Sequence, residues 1–182
     1  MRALVFDLEI IRSPHDNPDG WEAARRGECG VSCVAVHDNL PKRCFLYNEY
    51  DLEECVNHLN DADILVSFNG IEFDVPCLQG ATNLTIASDQ YDILHEVWRA
   101  LGQRKKGYRL NEICQRLELG EKTGDGERAT DMYRDGEFTK LYGYCRNDVE
   151  LTRRLCNFIS NNGYILTPEG EPLELSNLEV EV

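Results

Sequence analysis

Asp7 and Glu9 stand two apart in the apolar run ALVFDLEI. In a β-strand that spacing points both carboxylates to one face, and apolar neighbours of both parities mark the strand as central. Burying one unpaired carboxylate costs several kcal/mol or a large pKa shift, and a second beside it adds repulsion. A divalent cation removes both costs. The plainer alternative is a strand that emerges into solvent at Asp7. A second anomaly lies late in the chain, where Leu141, Tyr144, Asp148, Leu151, Leu155 and Phe158 recur at the three-and-four spacing of one helical stripe. Asp148 is the only charge on that stripe, and Tyr144 is one turn earlier on the same face. An amphipathic helix that tolerates one Asp near its edge is the competing account. The third piece is the stretch Asn69 to Pro76, NGIEFDVP, which follows an apolar run and opens a helix with Pro76 in its first turn. Asp74 there could serve only the helix dipole. Taken together, acids from a strand, a loop–helix junction and a late helix form the oxygen-ligand set that hard cations require. Two such ions about 4 Å apart can clamp the attacking and leaving oxygens of a phosphoryl transfer. Mg²⁺ or Mn²⁺ suits an all-oxygen shell, whereas zinc would recruit His or Cys.

Several elements must position these groups. The pattern predicts a strand at Ala3 to Ile10 and a loop at Arg12 to Gly27 with a helical turn near Trp21. Strands follow at Gly30 to His37, Arg43 to Tyr47 and Asp63 to Phe68. Between the last two lies a helix from Asp51 to Asn60, with Asp51 as N-cap and Glu54 completing a capping box. Helices are then expected at Asp74 to Gln79, Asp92 to Leu101, Leu110 to Leu117 and Glu137 to Asn161, before a strand at Tyr164 to Thr167. The order implies an α/β domain, a mixed central sheet flanked by helices. It spans residues 1–167, leaving an acidic tail at 168–182 whose alternating LELSNLEVEV breaks phase at Ser176-Asn177. That tail reads as an edge strand, a partner contact or disordered chain.

Composition bounds the function. The chain has 182 residues, enough for one domain that folds without staples. No apolar run approaches the roughly 20 residues of a membrane span, and the first ten residues lack a signal-peptide pattern. A cytoplasmic protein with no membrane partner is expected. The eight cysteines, at 29, 33, 44, 55, 77, 114, 145 and 156, contain no C-x-x-C pair, so reduced, buried thiols are favoured over a zinc site. A net charge of −14 argues against indiscriminate DNA coating. It leaves open an enzyme that grips one strand end through metal ions. Bases cluster between Arg99 and Arg109 with no acid among them, and Arg104, Lys105 and Arg109 are candidates to track a strand backbone. The tail carries five Glu and no base, a candidate contact for a protein partner.

Asp7-x-Glu9, Asn69-x-x-x-Phe73-Asp74 and Tyr144-x-x-x-Asp148 together resemble the DEDD superfamily of 3′→5′ exonucleases, which has a ribonuclease H-like fold. Tyr144-Cys-Arg-Asn-Asp148 looks like the Tyr subtype, since Gly143 stands where the His subtype would carry His. NGIEFDVPCL is similar to the proofreading domain of B-family DNA polymerases. The similarity runs from Phe6 to about Leu166, including the loop Gly120 to Gly126. The resemblance implies that Asp7, Glu9 and Asp148 hold one metal ion. Asp7 would bridge to a second ion, supported by Asp74 through water. Tyr144 would orient the attacking water, and Asn69 and Phe73 would shape the site around a 3′-terminal nucleotide. The implied reaction releases nucleoside 5′-monophosphates from the 3′ end of single-stranded DNA or RNA. No polymerase domain fits in this length, so action alone or in trans is expected.

A haloacid-dehalogenase-type phosphatase also begins with an apolar strand ending in Asp, but its second acid is usually Asp, and it lacks the Tyr144/Asp148 stripe. A P-loop at Gly120-Glu-Lys-Thr-Gly fails because Glu121 precedes Lys122. From a different class, a non-catalytic binding module on the same fold is the alternative, though all four acids and Tyr144 are in place.

Overall fold

In the computed structural model the described residues are 1–124, 127–176, 178 and 182. The far end of the predicted Gly120–Gly126 loop, and residues 177 and 179–181 of the alternating tail, lie outside them. A five-stranded sheet forms the centre. Its middle strand, β1 (Ala3–Ile10), pairs antiparallel with β2 (Val31–Asp38), which pairs antiparallel with β3 (Arg43–Asn48). On the other side, β1 pairs parallel with β4 (Ile64–Ser67), and β4 with β5 (Asp89–Asp92), giving the order β3-β2-β1-β4-β5.

Strand parity sorts the core. Leu4, Phe6, Leu8 and Ile10 pack with Val34 and Val36 against the side that holds α2 (Leu52–Asn60) and α3 (Asp74–Thr82). Ala3 and Val5 join Cys33, Ala35 and Val66 on the opposite face. That face is covered by α4 (Ile93–Leu101), α5 (Leu110–Arg116) and the long α7 (Phe138–Asn162). Asp7 and Glu9 continue the Ala3–Val5 row, so their carboxylates face α7. α1 (Trp21–Arg25) is the helical turn expected near Trp21.

Two elements and a 3₁₀ turn at Pro14–Asp16 escaped the sequence reading. β5 is a four-residue polar edge strand, DQYD, that runs directly into α4, so Asp92 ends a strand and caps the helix. α6 (Glu127–Arg134) has too few apolar residues to show a stripe. The start of the tail meets its edge-strand reading, since β7 (Pro172–Glu174) forms a hairpin with β6 (Tyr164–Leu166). Downstream, Leu175, Leu178 and Val182 are buried in the core on the α7 side, and the Ser160 hydroxyl donates to the Leu178 carbonyl. The capping box at Asp51 does not form. Asp51 precedes α2, but its backbone, at φ −110° and ψ 14°, is not in the extended conformation usual for an N-cap, and its side chain caps nothing. Phe158 is only half-buried, and Ile159 is the buried residue at that end of α7. All eight cysteines are free thiols, seven of them buried. Among the described residues, no helix is long and apolar enough to cross a membrane.

Candidate active site

β1 is bordered by strands on both sides only as far as Val5. β4 pairs with Ala3 to Val5 and then ends at Ser67. Beyond that point the Leu8 N–H lacks a ladder partner, and Asp74 Oδ1 accepts it at 3.1 Å. The early end of one strand thereby ties the start of α3 to the middle of β1, beside Asp7. The loop between β4 and α3 is shaped for this. Asn69 adopts a left-handed φ of 70°, which Asn tolerates better than most residues. At Gly70 a Cβ would meet Ser67 Cβ at 2.5 Å, so only glycine fits. Buried Asp92 accepts the Asn69 and Ile71 N–H groups at 2.9 and 3.0 Å while capping α4 through Leu94 and His95. Asp92 was not among the residues singled out from the sequence. Its helix-cap position was the available signal.

Across the sheet face, α7 brings Tyr144, Cys145 and Asp148 down onto β1. The Cys145 thiol donates to the Asp7 carbonyl at 3.4 Å. Glu9, Asp74 and Asp148 are 8%, 4% and 2% exposed, and Asp7 is half-buried. Burial raises the Asp7 carboxyl well above its ordinary range, and the charges of Asp74 and Asp148 push the same way. Glu9 is likewise raised, by burial and then by Asp7. Asp74 rises to about 7 through burial, against the pull of the Leu8 N–H bond. For Asp148 burial again raises the value, opposed by Lys122.

Lys122 is the second residue missed as a site group. Its ammonium lies 2.5 Å from Asp148 Oδ2 and 3.5 Å from the Tyr144 hydroxyl. Burial disfavours its charge, but Asp148 and Asp7 outweigh burial and hold it protonated. The loop carrying it is pinned at two points. Asn111 on α5 accepts the Lys122 N–H at 2.7 Å, and Asn147 on α7 accepts that of Thr123 at 3.0 Å. At Gly124 a Cβ would press on the Tyr144 ring at 3.3 Å. The other carboxylate oxygen, Asp148 Oδ1, is buried with no partner among the described residues. An orphaned buried oxygen among four converging acids, with a cation already drawn in, fits a site for divalent metal.

The remaining predicted residues sit around this centre. Asn69 and Phe73 flank Asp74 from the loop, and Phe73 stacks edge-on with Trp21, ring centres 5.5 Å apart. Arg104 reaches the same side, paired with Glu72 and lying 4.4 Å over the Trp98 ring. Lys105 instead faces Glu169, 3.9 Å away, and Arg109 begins α5, where its N–H donates to Glu112. A cavity of about 640 Å³ opens beside Tyr144 between the Lys122 loop, α6 and the start of α7. Arg134 and Lys140 in its wall are paired with Asp131 and Glu137.

The family model of the RNase H superfamily matches residues 30–160. The chain belongs to the RNase H superfamily. The matched stretch includes Asp74, Lys122, Tyr144 and Asp148, and begins after Asp7 and Glu9. No curated protein matches this superfamily member. Among solved structures it is similar to the family B DNA polymerase from the hyperthermophilic archaeon Pyrobaculum calidifontis. The TM-score is 0.68 and the identity 16%, over 87% of this chain. The chain spans 24% of that polymerase. The likeness establishes the expected ribonuclease H-like fold.

Proposed function

We propose that this RNase H superfamily domain is a metal-dependent 3′→5′ exonuclease of the DEDD type, Tyr subtype. Its substrate in this reading is single-stranded nucleic acid, DNA in preference, and the products are nucleoside 5′-monophosphates. The observation that carries the reading is the convergence of Asp7, Glu9, Asp74 and Asp148 around the Lys122 ammonium, with one buried Asp148 oxygen left unpaired among the described residues.

In this reading Asp7, Glu9 and Asp148 hold one ion, and Asp7 with Asp74 a second. Mg²⁺ or Mn²⁺ bound there would lower the pKa of water and neutralise charge on the phosphate. The Tyr144 hydroxyl orients the attacking water, which displaces the 3′-oxygen of the preceding nucleotide from phosphorus. Lys122 offers positive charge to the phosphate oxygens where negative charge grows. Asn69 and Phe73 border the terminal nucleotide, with the Phe73 ring and half-exposed Trp21 supplying apolar surface for a base. Arg104 lies near enough to that edge to meet the strand backbone. Lys105 and Arg109 extend the same basic stretch further along it.

The test is to incubate the protein with 5′-labelled single-stranded DNA and RNA in Mn²⁺, Mg²⁺ or EDTA, alongside Asp148→Ala. The expected result is a metal-dependent ladder shortening from the 3′ end and at least about 10³-fold less cleavage in the variant. Strand binding with no cleavage in any metal would instead favour a non-catalytic module, and cleavage that survives Asp148→Ala would mean the site is misplaced.

A further inference from the structure

The donor atoms that cluster most tightly at the site are not all oxygen. The ligand atoms of Asp7, Glu9 and Cys145 lie within 4.8 Å of one another. Behind them Cys33 stands opposite Glu9 in the β1–β2 register, with its thiol beside that of Cys145. Both thiols are fully buried. Glu9 is more than nine-tenths buried, and its carboxylate accepts no hydrogen bond among the described residues. Asp148, by contrast, is engaged by Lys122. A thiol, a second thiol behind it and an unpartnered carboxylate therefore lie together, beside half-buried Asp7.

We propose that Asp7, Glu9 and Cys145 form a site for a thiophilic divalent cation of the Zn²⁺ class, and that its occupation shuts out the hard ions of the reaction. This rests on the reading of the carboxylate centre given above and deepens it to metal-dependent inhibition. Zn²⁺ accepts a Cys sulfur at about 2.3 Å and carboxylate oxygens at about 2.0–2.2 Å in a tetrahedron. To meet at one point the three donors must turn toward each other, and the Cys145 thiol must give up its bond to the Asp7 carbonyl. Thiolate sulfur favours zinc over magnesium and manganese, and zinc also stands above manganese in the general affinity order. Binding breaks the Cys145 S–H bond and forms a sulfur–metal bond, with the proton released to solvent and no change of oxidation state. Because the soft ion occupies both Asp7 and Glu9, neither remains for a hard ion.

Co²⁺ serves as the spectroscopic stand-in for Zn²⁺. Titrated into the metal-free protein, it is expected to give a near-ultraviolet thiolate-to-cobalt charge-transfer band. Equimolar Zn²⁺ should abolish the band, and a large excess of Mg²⁺ should leave it. Cys145→Ser should lose it, and Glu9→Gln should weaken it while keeping the thiol, which guards against a folding failure of the first variant. Cys156→Ser, at another buried thiol of α7, should retain it. No band in the wild type, or a band that persists in Cys145→Ser, overturns the proposal. In the nuclease assay, Zn²⁺ added to Mn²⁺-loaded protein should inhibit. The inhibiting concentration should rise at least about tenfold in Cys145→Ser, measured against that variant's own rate. Equal zinc sensitivity in the two proteins would also overturn the proposal. A cobalt band in a protein with no nuclease activity would sink the exonuclease reading and leave the thiophilic site standing.

Discussion

Lys122 and Tyr144 share one carboxylate, Asp148, and their contributions separate by substitution. Tyr144→Phe keeps the ring against Gly124 and removes only the hydroxyl. Its expected effect is a fall in kcat on the order of 10²-fold with KM nearly unchanged, because the water is misplaced while the strand still binds. Single-turnover and steady-state rates on a short oligonucleotide would check it. A large KM effect would mean that Tyr144 holds the substrate. Lys122→Met removes the charge that grips Asp148 and leaves that buried carboxyl only the Tyr144 hydroxyl as partner. We expect about 10²-fold lower kcat and a metal-free protein that melts at lower temperature than the wild type. Added Mn²⁺ should raise its Tm by more than it raises the wild type's, since the cation then has no ammonium competing for Asp148. Equal metal-induced shifts in thermal melts would count against the shared position of Lys122 and metal.

At the scale of elements, the loop between β4 and α3 depends on one residue outside it. Asp92 ends β5, caps α4 and accepts two N–H groups of the 69–71 turn. Asp92→Ala strands four donors at once, and a loss on the order of 3 kcal/mol is expected from denaturant unfolding. Asp74 should then leave the Leu8 N–H, so activity is lost beyond what stability explains. A variant destabilised by that amount yet fully active would show that Asp74 is held by α3 alone. The sequence carried most of these elements. β1 was predicted at its observed bounds, because an apolar run of that length allows one register. β5 and α6 were not legible for a physical reason. Neither is apolar enough for periodicity to show, and each is held by neighbours, β5 by its pairing with β4 and α6 by packing against the start of α7. The Asp51 capping box matched in spacing only, since the chain enters α2 with Asp51 outside the extended conformation a capping side chain needs.

For the molecule as a whole, the acid cluster sets how stability responds to pH. Asp7, Glu9 and Asp74 all have carboxyl values raised by burial, Asp74 to about 7. In the unfolded chain they titrate near 4, as ordinary carboxyls do (about 3.9–4.3). Between about pH 4 and about 7 the folded state therefore binds more protons, and stability falls as pH rises through that window. Metal-free protein in EDTA should lose Tm from pH 5 to pH 8. Mn²⁺ should restore more of it at pH 8 than at pH 5, because the ion binds the deprotonated acids. A Tm that climbs with pH in EDTA would mean the acids are not gathered as described. Cleavage should rise over the same range, opposite in slope to the stability of the metal-free protein.

Local sequence was sufficient for the chemistry of individual positions and for the elements that carry them. Two acids on an apolar strand, one on a helical stripe and one at a loop–helix junction violate burial rules that act over a few residues, so they stand out without a structure. Pairing across the chain was a different matter. Lys122 enters the acid cluster from a loop whose anchors, Asn111 and Asn147, lie on two helices. Asp74 meets β1 because β4 stops short. Cys33 and Cys145 share no sequence spacing, and β2 and α7 bring them together under Glu9. Long-range contacts of this kind are set by how strands end and helices pack, and no period or motif within a short window encodes them.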